Sequence, residues 1–228
     1  MSISQIIIGL MVLLIVGLII KGVKNHRRYH SIKQRKDFIN SYSFPDAINS
    51  KLKSKYSFLS EKDLSQVQQG LRDWFYVCNA ACNKPVSMPS QVVDDAWHEF
   101  ILYTKLYAKF CQGAFGQFLH HTPAEAMLSP TKAQQGIKRA WRIACKRDKI
   151  NPHKPSRLPL LFAIDKQLNI PNGFYYSKNC TRSKNNEQCA NSISCSSCNT
   201  GCDGYMDSAD SSSTSDSGSG CSSCGGGD

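Results

Sequence analysis

The chain has 228 residues, a net charge of +11 and 41% hydrophobic residues. That length holds one globular domain of ordinary size plus accessories. Apolar residues crowd into the first twenty positions and the middle of the chain, so the core must come from the middle. A domain of about 140 residues buries about two-thirds of its unfolded surface, which excludes a scaffold that depends on disulfides or metal to fold.

Ile3 to Ile20 is an apolar run without a charged residue. At 1.5 Å per residue, about 18 to 20 residues just span a hydrocarbon core of about 30 Å. Residues 1–20 are therefore expected as a transmembrane anchor. A cleaved signal peptide carries Lys or Arg before its apolar stretch and a small-residue cleavage site after it. Here Met1 to Gln5 has no charged side chain, and the run ends in Lys21, Lys24, Arg27 and Arg28. The positive-inside bias then leaves the bulk of the chain in the cytoplasm, as a single-pass protein of the cell membrane. Residues 21–44 read as a basic juxtamembrane linker. Lys21, Lys24, Arg27 and Arg28 are placed to touch anionic lipid, although a topology signal alone accounts for them.

Residues 45–178 read as an all-α, small helical-bundle domain. Pro45-Asp46 opens an amphipathic segment with Ile48, Leu52 and Tyr56 at helical spacing. Ser60-Glu61-Lys62-Asp63 is a capping-box pattern, with Leu59 and Leu64 placed as a hydrophobic staple. Leu64, Val67, Leu71, Trp74, Phe75, Cys78 and Cys82 follow at period 3.6. Cys78 and Cys82 fall one turn apart, spaced for a shared metal but more in keeping with small core residues. After Pro85 and Pro89, Ser90 is placed to cap a long helix over Gln91 to Gln112. Its main face is Val93, Ala96, Trp97, Phe100, Thr104, Tyr107 and Cys111, with Ile101, Leu102 and Leu106 widening the apolar surface. Gly113 and Gly116 permit a reversal. Thr122-Pro123-Ala124-Glu125 is a second capping box. Ser129-Pro130 starts a helix to about Lys149, and Leu160 to Leu168 forms a last short one. No convincing run of period-2 strands appears.

The residues between Met88 and Pro123 hold the candidate polar site. Asp94 and His98 are four apart on a helix and share a face. His120 and His121 follow the reversal and can fold back onto it. Asp94, His98 and one of His120 and His121 make a donor set for a divalent metal such as zinc. The bland alternative is a structural polar cluster in which Asp94 orients the His98 ring, and the spacing matches no established ligand signature. Cys111 beside one of these His is a further arrangement, that of a thiol nucleophile. No Gly-rich loop follows a strand, so nucleotide binding of the usual kinds has no support.

Val93-Asp94-x-x-Trp97-His98, followed by Tyr107, Cys111 and His121, resembles the glycine-rich domain-containing-protein-like family, in its bacterial members of uncharacterised function. The resemblance extends more loosely from Phe44 to Cys180. It implies a helical domain and carries no activity with it. Many members have a second His two positions after the first. Phe100 stands there in this chain, which weakens any His-x-His metal site. No RNA-binding signature accompanies the resemblance.

Lys138, Arg139, Arg142, Lys146, Arg147 and Lys149 form a positive stripe opposite Ile137, Trp141 and Cys145. A solvated face is the ordinary reading, with anionic lipid a nearer partner than nucleic acid. Residues 179–228 are a low-complexity Cys/Ser/Gly-rich tail, expected to be disordered because it lacks apolar residues to offset the entropy of ordering. Cys195-x-x-Cys198 and Cys221-x-x-Cys224 have zinc-site spacing, without the apolar positions that usually support one. Taken together, the sequence points to a membrane-anchored binding or scaffold module with protein partners open. The alternatives are a metal-dependent enzyme at Asp94, His98 and His120 or His121, and a metal- or redox-responsive protein using the tail. Whether the chain is an enzyme stays open.

Overall fold

The computed structural model describes residues 3–121, 130–178, 188, 189 and 193; among these, the side chains of residues 3–10, 12–14, 24–30, 130–132, 188 and 189 are left out. Among the described residues the protein is helical but for one minimal parallel strand pair. In chain order come α1 (Ile3–Ser41), α2 (Asp46–Lys55), α3 (Glu61–Ala80), α4 (Gln91–Leu102), α5 (Thr104–Phe115), α6 (Pro130–Arg147), α7 (Leu160–Gln167), β1 (Tyr176–Ser177) and β2 (Gln188–Cys189).

The segment read as anchor and linker is one uninterrupted helix. Along its first half Ile15, Val16, Leu18, Ile19, Ile20 and Val23 are exposed. Among the described residues, no helix is long and apolar enough to cross a membrane. Most side chains of the run Ile3 to Leu14 lie outside that description. The C-terminal end of α1 belongs to the domain. Ile39 is fully buried, and the Phe38 ring lies 5.8 Å from that of Phe110. The core therefore starts ahead of Phe44, inside the stretch expected as a linker.

α3 sits at the centre, packed on α1, α2, α4, α5, α6 and α7. Its start follows the sequence. Ser60 Oγ accepts from the Asp63 amide, and the Asp63 carboxylate accepts from the Ser60 amide, while Leu59 and Leu64 are buried on either side. An aromatic cluster of Phe44, Phe75, Phe100 and Phe110 fills the space between α3, α4 and α5, with Phe75 and Phe110 at 4.6 Å and Phe44 and Phe100 at 5.2 Å.

One expectation changes. The long helix over Gln91 to Gln112 is broken at Tyr103, whose ψ of 59° is not helical. No Gly or Pro marks the break. The packing does: α4 lies on α3 and α2, whereas α5 lies on α1, and one straight rod cannot serve both. α5 then runs through Gly113, where a Cβ would sit 2.8 Å from the Phe38 ring. It ends at Gly116, whose φ of 72° is the left-handed C-terminal stop. Of the tail, residues 188, 189 and 193 are described. β2 pairs with β1 in parallel register, Tyr176 opposite Gln188, and Ile193 is buried in the core. The second capping box, Thr122 to Glu125, lies outside the described residues, as do Cys195, Cys198, Cys221 and Cys224.

Candidate metal centre

α4 presents Asp94 and His98 one turn apart, with His98 Nδ1 3.7 Å from Asp94 Oδ2. From the far side of the reversal, His121 Nε2 lies 3.2 Å from Asp94 Oδ1. The rings of His98 and His121 meet edge to face at 4.3 Å. One ligand atom from each of Asp94, His98 and His121 lies within 4.8 Å of the others. Ligand bonds of about 2.0 to 2.1 Å place tetrahedral ligands about 3.4 Å apart. The three atoms thus stand somewhat farther apart than an ion would hold them; His98 is the half-exposed member, and Asp94 and His121 are largely covered.

The break at Tyr103 is what lets His121 reach. A straight helix from His98 to Phe115 would separate them by about 26 Å. The six residues from Gly116 to His121 extend over at most about 22 Å. Bending the rod at Tyr103 closes the difference. The returning segment is then tied down. Trp97 Nε1 donates to the Tyr107 hydroxyl at 3.1 Å, and that hydroxyl donates to the Leu119 carbonyl at 2.6 Å. Burial pushes the Tyr107 phenol well above its usual pKa, so it stays a donor. Gln117 Nε2 donates to Asn83 Oδ1 at 2.8 Å. The Trp97 ring itself backs His121 at 4.5 Å. Trp97 and Tyr107 thus hold the His121 segment through its backbone and its ring.

The structure separates the two adjacent His. His121 turns in to Asp94. His120 turns out, exposed, with its ring against Phe118 at 4.8 Å. Period arithmetic does not distinguish them; the Leu119 carbonyl, fixed by Tyr107, does. Cys111 is fully buried beside Tyr107 and Leu119, and burial raises its thiol pKa. A thiol held protonated in an apolar site is a poor nucleophile. Cys78 and Cys82 do not form a metal pair. Cys78 is a free thiol with its pKa pushed well up by burial. Cys82 lies beyond the end of α3 at φ 50°, exposed and disulfide-bonded. The α6 stripe is largely spent on internal contacts: Arg139 on the Pro85 carbonyl, and Arg147 on Asp73 at 2.7 Å and on the Tyr76 ring at 4.4 Å. Lys146 and Lys149 are its exposed members. Of the four basic residues expected at a lipid surface, Lys21 is exposed, and the side chains of Lys24, Arg27 and Arg28 lie outside the described residues.

Asp165 is a residue that sequence reasoning passed over. It is buried on α7 and accepts from Ser90 Oγ at 2.7 Å, the Gln91 amide at 2.6 Å, the Val92 amide at 3.2 Å and the Phe174 amide at 2.9 Å. This carboxylate caps α4 and so sets the rotation of the helix that carries Asp94 and His98. Its one sequence signal is an acid directly after the apolar run Leu160 to Ile164. Asp95, next to Asp94, turns the other way, to the Tyr56 hydroxyl at 2.6 Å and Lys55 at 2.8 Å, so only one of the paired carboxylates serves the centre.

These features define a helical domain with a three-residue polar centre built between one helix and a returning strand of chain. The chain belongs to the UCP032817-like family, whose model matches residues 34–198. The match begins within the packed end of α1 and runs past Ile193. Neither the curated proteins nor the solved structures contain a match.

Proposed function

We propose that the protein is a membrane-anchored helical domain that binds one divalent metal ion through Asp94, His98 and His121. The observation that carries the reading is the approach of three ligand atoms to within 4.8 Å of one another. Two imidazoles and a carboxylate suit zinc or iron(II). Three protein ligands leave a coordination position open, the pattern of sites that act on a ligand and not of closed structural sites. The rival reading, a scaffold without metal, is favoured by the 3.2 Å contact between His121 and Asp94, which satisfies both groups on its own.

Elemental analysis of the full chain, purified in lipid nanodiscs, decides between them. One equivalent of metal is expected, retained when Cys195, Cys198, Cys221 and Cys224 are all changed to Ser. His121→Ala and Asp94→Asn should each lower affinity at least tenfold, whereas His120→Ala should leave it alone. Absence of metal from the wild type, or retention in His121→Ala, would sink the reading.

The anchor rests on the charge-free run Ile3 to Ile20 and on the exposed apolar residues of α1 that are described. Lys21, Lys24, Arg27 and Arg28 support a cytoplasmic domain whose basic flank meets anionic lipid. One observation favours the reverse orientation: the Cys82 disulfide, a bond that persists on the oxidising side of a membrane. A C-terminal reporter active only in the cytoplasm distinguishes the two, with activity expected.

A further inference from the structure

We infer that Cys82 is joined to the C-terminal tail and that this bond is a redox-sensitive lock on the segment that carries His121. The chain has 11 cysteines, and Cys82 is disulfide-bonded. Cys78, Cys111 and Cys145 are free thiols, so the partner is a cysteine from Cys180 onward. The tail does return to the domain: β2 pairs with β1, and Ile193 lies in the core. Cys82 is exposed just past the end of α3. It stands at φ 50° and Asn83 at φ 64°. Asn tolerates the left-handed region, but two successive non-glycine residues hold there only where their surroundings fix them. The backbone supplies two bonds, from the Cys82 amide to the Asn79 carbonyl at 3.3 Å and from the Lys84 amide to the Ala81 carbonyl at 3.0 Å. The disulfide adds a covalent tether. Asn83 in turn accepts from Gln117 Nε2 at 2.8 Å. Gln117 lies four residues before His121, in a stretch without regular structure. The lock thus runs from Cys82 through Asn83 and Gln117 to His121, whose side chain is 13% exposed.

The inference rests on the cytoplasmic orientation proposed above and not on the metal. A disulfide on the reducing side of a membrane is characteristically transient and redox-sensing, and an exposed one is the more labile. A dithiol opens it by exchange. One thiolate attacks a sulfur of the bond, and the second displaces the mixed disulfide. Two electrons and two protons pass to Cys82 and its partner, which leave as thiols, and the dithiol becomes a disulfide. The turn then loses its tether, and Gln117 its fixed acceptor.

The test uses the full chain in nanodiscs with EDTA present, so absence of bound metal bears on the metal reading and not on this one. Peptide mapping without reductant should find Cys82 linked to a tail peptide. Diethylpyrocarbonate labelling of His rings is then read by mass spectrometry before and after treatment with dithiothreitol and its removal. The His121 rate should rise at least about threefold on reduction, the equivalent of one weak hydrogen bond released. Exposed His153 should not change. Asn83→Gly keeps the left-handed turn accessible and removes the acceptor. It should raise the His121 rate in the oxidised chain and leave reduction without further effect. A Cys82 thiol in the untreated chain, an unchanged His121 rate, or a reduction effect that survives Asn83→Gly would overturn the inference. So would a rise accompanied by alkylation of the buried Cys145 thiol, because the whole domain would then have loosened. A C-terminal reporter found outside the cytoplasm would overturn it separately, since the bond would then be a permanent staple.

Discussion

Asp165 shows how a single side chain can govern a site it does not touch. It takes in three backbone amides and a hydroxyl, and it is 1% exposed. Asp165→Ala would leave those buried donors without an acceptor, at about 1 to 3 kcal/mol each where water cannot enter. The expected loss is at least about 3 kcal/mol by urea denaturation, and a loss under about 1 kcal/mol would mean the cap is dispensable. Trp97→Ala should cost about 3 to 5 kcal/mol, the usual penalty for deleting a buried large aromatic. His98→Ala should cost less, because His98 stands half exposed. The pairing of Asp94 with His98 was legible because a spacing of four on a helix fixes it locally. The choice of His121 over His120 was not, since it depends on a carbonyl anchored by Tyr107 from another element. Asp165 was illegible for the same reason: three of its four partners lie 73 to 75 residues away.

At the scale of elements, local rules predicted starts better than ends. Ser60 with Asp63, and Ser90, cap α3 and α4 as their sequences require. The break between α4 and α5 has no local cause, so no local rule finds it; two faces must turn to two different neighbours, and tertiary packing decides. In the tail, of which residues 188, 189 and 193 are described, composition likewise gives no weight to a single contact. It counts apolar residues over a window and discounts a solitary Ile193, which nevertheless lies in the core. Two changes separate these contributions. Deleting residues 199–228 should leave thermal stability nearly unaltered, because those residues lie beyond both the matched family segment and Ile193. Ile193→Ala in the full chain should cost about 2 to 4 kcal/mol, as for a buried aliphatic side chain. Equal stability of Ile193→Ala and wild type in a denaturant melt would mean that the tail does not dock.

For the whole molecule, the decisive feature is that α1 joins the apolar run to the core without a joint. It is one helix from Ile3 to Ser41. Nineteen residues separate Ile20 from the buried Ile39, which is about 29 Å at 1.5 Å per residue. Its far end is gripped on three sides: Phe38 stacks on Phe110 and against Gly113, Lys36 lies over Tyr76 at 5.2 Å, and Asn40 accepts from Arg147 at 3.0 Å. α5 runs back along α1, with Phe110 near Phe38 and Gly116 near Arg35, so the start of α5 lies toward the C-terminal end of α1. A flexible linker would leave the domain indifferent to what precedes it; a stalk that is part of the core would not. Removing residues 1–20 should therefore release the protein from the membrane fraction and leave its unfolding free energy unchanged. Removing residues 1–40 deletes Phe38 and Ile39 as well, and should destabilise the domain by at least about 4 kcal/mol, since each is a buried or half-buried core contact worth about 2 to 5 kcal/mol. Comparing the two truncations by urea denaturation isolates the packed end of α1 from the apolar run. If they prove equally stable, α1 is a tether whose contacts with α3 and α5 contribute nothing.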